Sequence, residues 1–134
     1  MIDVLFYCKI LGGGCVLAKD DYNVIVFKIL TYLYAVLKRK TVFDIKEFKT
    51  AVGNIDENYL SDLLEMMQKE NFIEGLIFVH AWGIESIICN DLSEMRITFK
   101  GMQFLTENNK MQEIKNFLLK NVDTISSLIK LVFV

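Results

Sequence analysis

Long apolar stretches without glycine or proline mark where this chain forms helices. The stretch from Tyr22 to Arg39 contains neither residue, and Asp20 and Asp21 before it can cap a helix and complement its dipole. Apolar side chains lie almost all round it, which a helix tolerates only when it is covered on more than one face. We therefore predict a helix that is central or partly buried in an oligomer. Its β-branched and aromatic residues leave a strand open, but its length favours a helix.

Two shorter helices are predicted next. The stretch Asp44–Val52 repeats apolar residues at helical spacing, and Gly53 and Asn54 stop it. A third helix runs from Asp56, a plausible cap, to Asn71. Its inward stripe consists of Tyr59, Leu60, Leu63, Leu64 and Met67. Its outward positions are Glu57, Asn58, Ser61, Asp62, Glu65 and Gln68.

A β-hairpin follows the third helix. The β-rich runs Phe72–His80 and Ile84–Cys89 flank Ala81-Trp82-Gly83, which is short enough for a turn. Arg96–Thr98 can add a short strand. Alternation along the first run predicts one face with Leu76, Phe78, His80 and Trp82, and the other with Ile77, Val79 and Ala81.

The C-terminal part is predicted as two more helices. Thr98–Asn108 directs Met102, Phe104 and Leu105 inward, and a longer helix runs from Lys110 to about Val132. The longer helix repeats apolar residues in threes and fours, which is typical of a buried stripe. Its partner is either the first helix of this chain or a second copy. The apolar C-terminus favours a homodimer, with an interface formed by Ile114, Leu118, Ile125, Leu128 and Val132.

These elements predict a core domain at residues 18–108 and an added C-terminal helix at 109–134, a possible dimerisation element. Residues 1–17 form an N-terminal extension that contains the glycine tract Gly12–Gly14. The tract is either a linker or, as a second hypothesis, the translation of a purine-rich ribosome-binding site, with Leu17 as the native initiator and residues 1–16 as a mis-assigned start. Mass spectrometry of the protein from its own host would test this.

Composition bounds the class of protein. With 134 residues, of which 53% are hydrophobic, the chain is long enough for one sizeable core, and we expect one domain. Lysines interrupt its most apolar stretches, so no membrane span is expected. Cys8, Cys15 and Cys89 lack metal-site spacing and indicate reduced thiols in a cytoplasmic protein.

Charge is distributed unevenly along the chain. The window from Asp56 to Glu94 contains nine acids and one base, Lys69, although the net charge of the whole chain is only −2. The predicted third helix and hairpin therefore lie in an acidic segment between basic flanks.

The order helix, short helix, helix, hairpin, helix is that of a winged helix, a helix-turn-helix variant. The stretch from Ile97 to Asn108, ITFKGMQFLTEN, resembles the LTxKGxxYLxxN ending of the YjcQ family, and Lys69–Ile73 resembles its REGYI motif. That family consists of small Gram-positive and prophage proteins with a winged-helix-like core. The resemblance covers about Lys19 to Lys120, leaves both ends uncovered, and implies a winged-helix-like core and a phage-type context. With the long additional C-terminal helix predicted from the apolar spacing, we expect an α+β, mostly helical winged helix with a β-hairpin wing. The resemblance implies no established activity.

Enzymatic chemistry is not indicated by the sequence. His80 is the only histidine, and no base or nucleophile stands at a motif spacing from it. The glycine tract lacks the Lys-Ser/Thr of a phosphate-binding loop, and the acids form no calcium loop. We expect a protein that is not an enzyme and needs no cofactor or metal.

Two kinds of partner remain. Duplex DNA is bound largely through Lys and Arg, so an acidic third helix disfavours docking in the major groove. The alternative is DNA binding through a basic face formed by Lys38, Arg39, Lys40, Lys46, Lys49 and Lys100. We predict instead that an unidentified basic protein is bound through Glu57, Asn58, Ser61, Asp62, Glu65 and Trp82. A sharper version is an acidic inhibitor of a host nucleic-acid enzyme.

Overall fold

The computed structural model describes residues 21–81, 85–121 and 125–133. Its helices are α1 (Asp21–Leu37), α2 (Ile45–Val52), α3 (Glu57–Lys69), α4 (Phe99–Glu107), α5 (Asn109–Lys120) and α6 (Ser126–Phe133). Between α3 and α4 lie β1 (Ile73–Glu74), β2 (Phe78–Ala81), β3 (Glu85–Ile88), a 3₁₀ turn (Leu92–Glu94) and β4 (Arg96–Ile97). The predicted extension at residues 1–17 and the predicted anchor Trp82 lie outside the described residues.

Helix α1 lies at the centre of the fold. It contacts α2, α4, α5, α6 and β4, and Phe27, Ile29, Leu30 and Tyr32 on it are fully buried. An apolar surface that extends round a helix requires cover on several sides, and this chain supplies that cover itself. The prediction of a central helix is confirmed.

The turn from α1 to α2 is held by a buried tyrosine. The hydroxyl of Tyr32 accepts the Asp44 N–H at 3.1 Å and donates to the Glu47 carboxylate at 2.9 Å. Thr41 Oγ1 donates to the same Glu47 oxygen at 2.6 Å. Burial is the main cause that raises the pKa of Tyr32 to about 12. The turn thus joins the two helices through polar contacts at the edge of the core.

Helices α2 and α3 begin where the sequence predicts, and α2 also ends there, whereas α3 ends at Lys69, two residues before the predicted Asn71. Asp44 accepts the Glu47 N–H, and Asp56 accepts the N–H groups of Asn58 and Tyr59, each as an N-cap. Gly53 follows α2 with a φ of +101°, a conformation that side chains with a Cβ rarely adopt. The inward stripe of α3 is confirmed at Leu60, Leu63, Leu64 and Met67, which are buried.

The strands form two antiparallel pairs. β1 pairs with β4, so that Ile73 opposes Ile97, and β2 pairs with β3, so that Val79 opposes Ile87. The second pair is the predicted hairpin, but the predicted first run Phe72–His80 is divided between β1 and β2, so that the hairpin strand begins at Phe78. It packs against α3, which places the hairpin over one side of the helix that precedes it.

The junction between β4 and α4 requires a glycine at position 101. A Cβ at this position would lie 2.2 Å from the carbonyl oxygen of Phe72, because the first turn of α4 lies directly against this residue, which precedes β1. Thr98 caps α4 by accepting the Gly101 N–H at 3.0 Å, and Phe104 stacks on Phe72 with a centroid distance of 4.4 Å. The glycine of the Lys-Gly motif is therefore required by packing.

The C-terminal segment differs from its prediction. In place of one helix from Lys110 to about Val132 there are two, α5 and α6, and Asn121 ends the first by donating from its side chain to the Phe117 carbonyl at 2.8 Å. The apolar stripe packs on α1 of the same chain, which was the other possible partner. Ile114, Leu118, Ile125 and Val132 are buried there and Leu128 is half-buried. Four of the five predicted interface residues are therefore covered by the packing of this chain itself, and the homodimer stays a prediction.

Candidate functional site

The side of α3 that was predicted to face solvent is divided in the structure. Glu57, Asn58 and Asp62 are exposed, whereas Ser61 and Glu65 are partly covered. Lys49 of α2 forms an ion pair with Glu57. The five predicted α3 site residues therefore do not form one exposed acidic surface.

Glu65 is turned toward the hairpin. Its carboxylate accepts a hydrogen bond from His80 Nε2 on β2 at 2.5 Å and another from Ser86 Oγ on β3. Only 14% of its side chain is exposed. The prediction that Glu65 points into solvent is wrong, because the hairpin folds over this side of α3 and supplies two donors for the carboxylate.

A second contact fastens the hairpin to the same helix. The Gln68 side chain donates to the Leu76 carbonyl at 2.8 Å and accepts the Leu76 N–H at 3.0 Å. This reciprocal pair satisfies the main chain of Leu76 much as a neighbouring strand would. Gln68, also predicted to face outward, is thus part of the attachment.

The electrostatics of Glu65 follow from these contacts. Hydrogen bonds to the ionised form favour it, so the Ser86 hydroxyl first and then His80 hold the pKa of Glu65 below its usual value. Sequence reasoning did not single out Ser86. The only signal for this contact was the strand register of the hairpin. His80 and Ser86 oppose each other across the two strands, so one carboxylate can reach both.

The part of α3 that remains exposed is of mixed character. Tyr59, which was predicted inward, is 37% exposed, and Met66 is 61% exposed. With Asp62 they follow the i, i+3, i+7 spacing of one helical face. We call these three residues the α3 stripe. It presents two large side chains around one carboxylate, with the single base Lys69 beyond them.

The outer face of the hairpin is apolar. Ile77, Val79 and Ile87 are 57%, 45% and 42% exposed, and Val79 opposes Ile87 across the strands. The predicted alternation is confirmed where it can be compared, because Phe78 packs on the core and His80 faces α3, while Ile77 and Val79 point away.

Several acids of the acidic window have structural roles. Asp56 and Asp91 each accept main-chain N–H groups as caps, and the Ser93 N–H holds the pKa of Asp91 below its usual value. Glu74 lies opposite Arg96 across β1 and β4. Asp56, Asp91, Glu57 and Glu65 thus each make a contact within the fold, so the window is less of a free anionic surface than its composition suggests.

The six bases of the alternative basic face lie on two helices, α2 and α4, and on the turn that follows α1. Lys38 Nζ donates to the Val132 carbonyl at 2.7 Å and lies over the Tyr34 ring, while Lys49 pairs with Glu57 and Lys100 lies 5.6 Å from the centre of the Phe72 ring. Arg39, Lys40 and Lys46 are exposed. Half of the set therefore contributes to packing or pairing.

A groove lies between α2, α3 and β3 and has a volume of about 350 Å³. Leu60 and Leu64 of α3 lie in its floor, and Ile45 and Ile87 line it as exposed aliphatic residues. We call it the β3 groove. Among the residues that the structure describes, no group of His, Cys, Asp and Glu side chains is arranged to hold a metal ion.

This arrangement, three helices followed by a short antiparallel hairpin and a further helix, is an α+β, mostly helical fold of the winged-helix-like class. A family model described as YjcQ protein matches residues 27–124. The chain belongs to the YjcQ family, as its sequence motifs indicated. Comparisons with curated proteins and with solved structures found no match. In the described part of the chain, no helix has the length and apolar character needed to cross a membrane.

Proposed function

We propose that this protein is a recognition module that binds another protein through the exposed faces of α3 and the hairpin. One observation carries the proposal: large apolar side chains are exposed on both elements that the sequence marks as the contact surface. They are Tyr59 and Met66 on α3 and Ile77, Val79 and Ile87 on the hairpin. Aromatic residues and methionine are enriched in protein interfaces, where they act as anchors.

The charge of this surface selects among partners. Asp62 lies within the α3 stripe and is exposed, and carboxylates at an interface steer encounter with a basic surface. A partner with apolar pockets and nearby lysine or arginine would complement it. The acidic inhibitor of a host nucleic-acid enzyme is one such case, because enzymes of that kind have basic channels for phosphates.

Site-specific photocrosslinking tests the proposal. A benzophenone amino acid in place of Met66 should form an adduct with a protein in lysate of the native host, and Asp62→Lys should abolish it. The same photoreactive residue in place of Gln103, which is exposed on α4, is the matched control. Equal labelling from both positions, or none from position 66, would contradict the proposal. Mass spectrometry of the adduct would identify the partner.

DNA binding is the second candidate, and one observation favours it. Glu65 is turned inward and Glu57 is paired with Lys49. Fewer carboxylates of α3 would therefore repel the phosphates of DNA than the sequence suggests. A gel shift with random duplex at low salt tests this candidate. Charge reversal at Arg39, Lys40 and Lys46 should then abolish binding. Lys38 is left unchanged, since its contact with Val132 packs α1 against α6.

A further inference from the structure

Strand β3 has one paired edge and one open edge. The Cys89 N–H donates to the Ile77 carbonyl at 2.8 Å, and the register places Val79 opposite Ile87 two residues further on. Antiparallel ladders alternate between bonded and non-bonded pairs. The main-chain groups of Ser86 and Ile88 must therefore point away from β2, toward the other edge.

That edge has no neighbouring strand among the described residues, since β2 and β3 form a sheet of two. The described segment between α1 and α2, residues 38–44, contains no strand either, and Val42 within it is 84% exposed. An unpaired edge presents a row of N–H and C=O groups that can template another strand. Proteins commonly cover or block such an edge.

The β3 groove lies directly beside this open edge. Ser86, Ile87 and Ile88 line it on the strand side, and the opposite wall belongs to α2 and α3. Buried Leu60 and Leu64 form an apolar floor, and exposed Ile45 stands on the far wall. The edge therefore offers hydrogen-bonding groups and, next to them, an apolar space for side chains.

The charges around the groove define its occupant. Lys49 and Glu57 are the charged side chains that line it in the described structure, and they neutralise each other in an ion pair. Beyond Asn90 and Leu92, which line its other end, Asp91 and Glu94 are exposed. An uncharged apolar segment fits the groove, and a lysine or arginine beyond it fits the acidic end.

We propose that the β3 groove binds an extended peptide segment of a partner protein by strand addition to β3. The main chain of the segment pairs with Ser86 and Ile88, alternate apolar side chains lie over Leu60 and Leu64, and a basic residue follows near Asp91. Main-chain pairing supplies affinity and the pockets for alternate side chains supply selectivity in this mode of recognition. The inference rests on the proposed function in taking the partner to be a protein.

A peptide titration on the full chain tests the inference. The probe is a short blocked peptide in which valine and threonine alternate before a lysine. Two matched versions carry N-methyl groups along one edge or along the other. Because the lysine at the acidic end fixes the direction of the peptide, only one edge of the peptide can face β3 while the valines face the groove floor. One methylated version should therefore retain the affinity of the parent, and the other should bind about tenfold more weakly or worse.

Amide exchange and two variants locate the binding. The peptide should slow exchange of the Ser86 and Ile88 amides, while the Ile87 amide, which already lies in the ladder, should change little. Ile45→Lys on the groove wall should weaken binding, and Val42→Lys, at an aliphatic position outside the groove that is more exposed than Ile45, should not. Equal affinities of the two methylated peptides, or unchanged exchange at Ser86 and Ile88, would overturn strand addition.

Two other occupants would also overturn the proposal. If Phe6→Asp in the free full chain speeds exchange of the Ser86 and Ile88 amides, the chain's own N-terminal residues protect the edge. If exchange of those amides slows as the protein concentration rises, a second copy protects it. Photocrosslinking at position 66 is independent of the peptide result, so failure of this inference would leave the proposed function standing.

Discussion

The Glu65 carboxylate on α3 accepts a hydrogen bond from His80 Nε2 on β2 at 2.5 Å, across the contact between helix and hairpin. The same carboxylate accepts the Ser86 hydroxyl from β3, so one side chain is bonded to both strands. A pair of short strands is only marginally stable by itself. The position of the hairpin therefore depends on this contact and on the Gln68 pair beside it.

Replacement of Glu65 should loosen the hairpin without unfolding the core. In Glu65→Ala we expect faster amide exchange at Val79 and Ile87, because both strands lose their attachment, while amides of α1 keep their protection. Asp62→Ala, which removes an exposed acid one turn earlier, is the matched control and should change neither. Hydrogen exchange followed by NMR measures both. Uniformly faster exchange throughout α1 would indicate a role in global stability instead.

The attachment of the hairpin should weaken in acid. The folded-state pKa of Glu65 is lowered by Ser86 and His80, so docking favours the ionised carboxylate. Its contribution is present above the unfolded pKa of about 4.3 and is lost as the pH falls through the lower folded value. Hairpin amide exchange, corrected for its intrinsic pH dependence, should accelerate relative to α1 in that range. In Glu65→Gln this extra acceleration should be absent.

Gly101 should tolerate no side chain. A Cβ there meets the Phe72 carbonyl oxygen at 2.2 Å and the Ile97 side chain at 2.9 Å, and neither the strand nor α4 can move without losing packing. We expect Gly101→Ala to lower the free energy of unfolding by about 1–3 kcal/mol. Gln103→Ala, on an exposed position of the same helix, should stay within about 0.5 kcal/mol of the parent. Urea denaturation with an unchanged m-value measures both variants.

Local patterns in the sequence predicted most of the elements, because caps, apolar spacing and strand alternation each involve only neighbouring residues. Asp44 and Asp56 illustrate this, since both cap the helices that follow them. The environment of Glu65 was not predictable in the same way. On an isolated helix Glu65 would point outward, as the pattern predicts. It points inward in the fold only because a hairpin about fifteen residues later folds back over it.

The C-terminal stripe shows a second limit of sequence patterns. Apolar residues spaced in threes and fours indicate that one side of a helix is buried, but they do not identify the partner that buries it. Here the partner is α1, and Lys38 of its C-terminal turn bonds the Val132 carbonyl of α6. The open edge of β3 has no sequence pattern either, since it arises because no strand of the described residues lies beside it.

Tyr32 should ionise only at strongly alkaline pH. Burial raises its pKa to about 12, whereas an unperturbed tyrosine titrates near about 10. The folded state therefore favours the neutral phenol, and stability should fall as the pH rises from the unfolded value toward the folded one. Ultraviolet titration should reveal a late ionisation that Tyr32→Phe lacks. That variant should also cost about 0.5–1.5 kcal/mol at neutral pH through loss of the bond to Glu47.

The C-terminal stripe should behave as core and not as a dimer interface. Ile114 is fully buried and Leu131 is 53% exposed, so they form a matched pair of aliphatic positions on α5 and α6. We expect Ile114→Ala to lower the free energy of unfolding by about 2–5 kcal/mol and Leu131→Ala to change it by less than about 0.5 kcal/mol. Sedimentation velocity should give the same oligomeric state for both variants and the parent. A change of oligomeric state in Ile114→Ala with its stability preserved would instead restore the dimer hypothesis, because removal of a true interface residue weakens association before it weakens the fold.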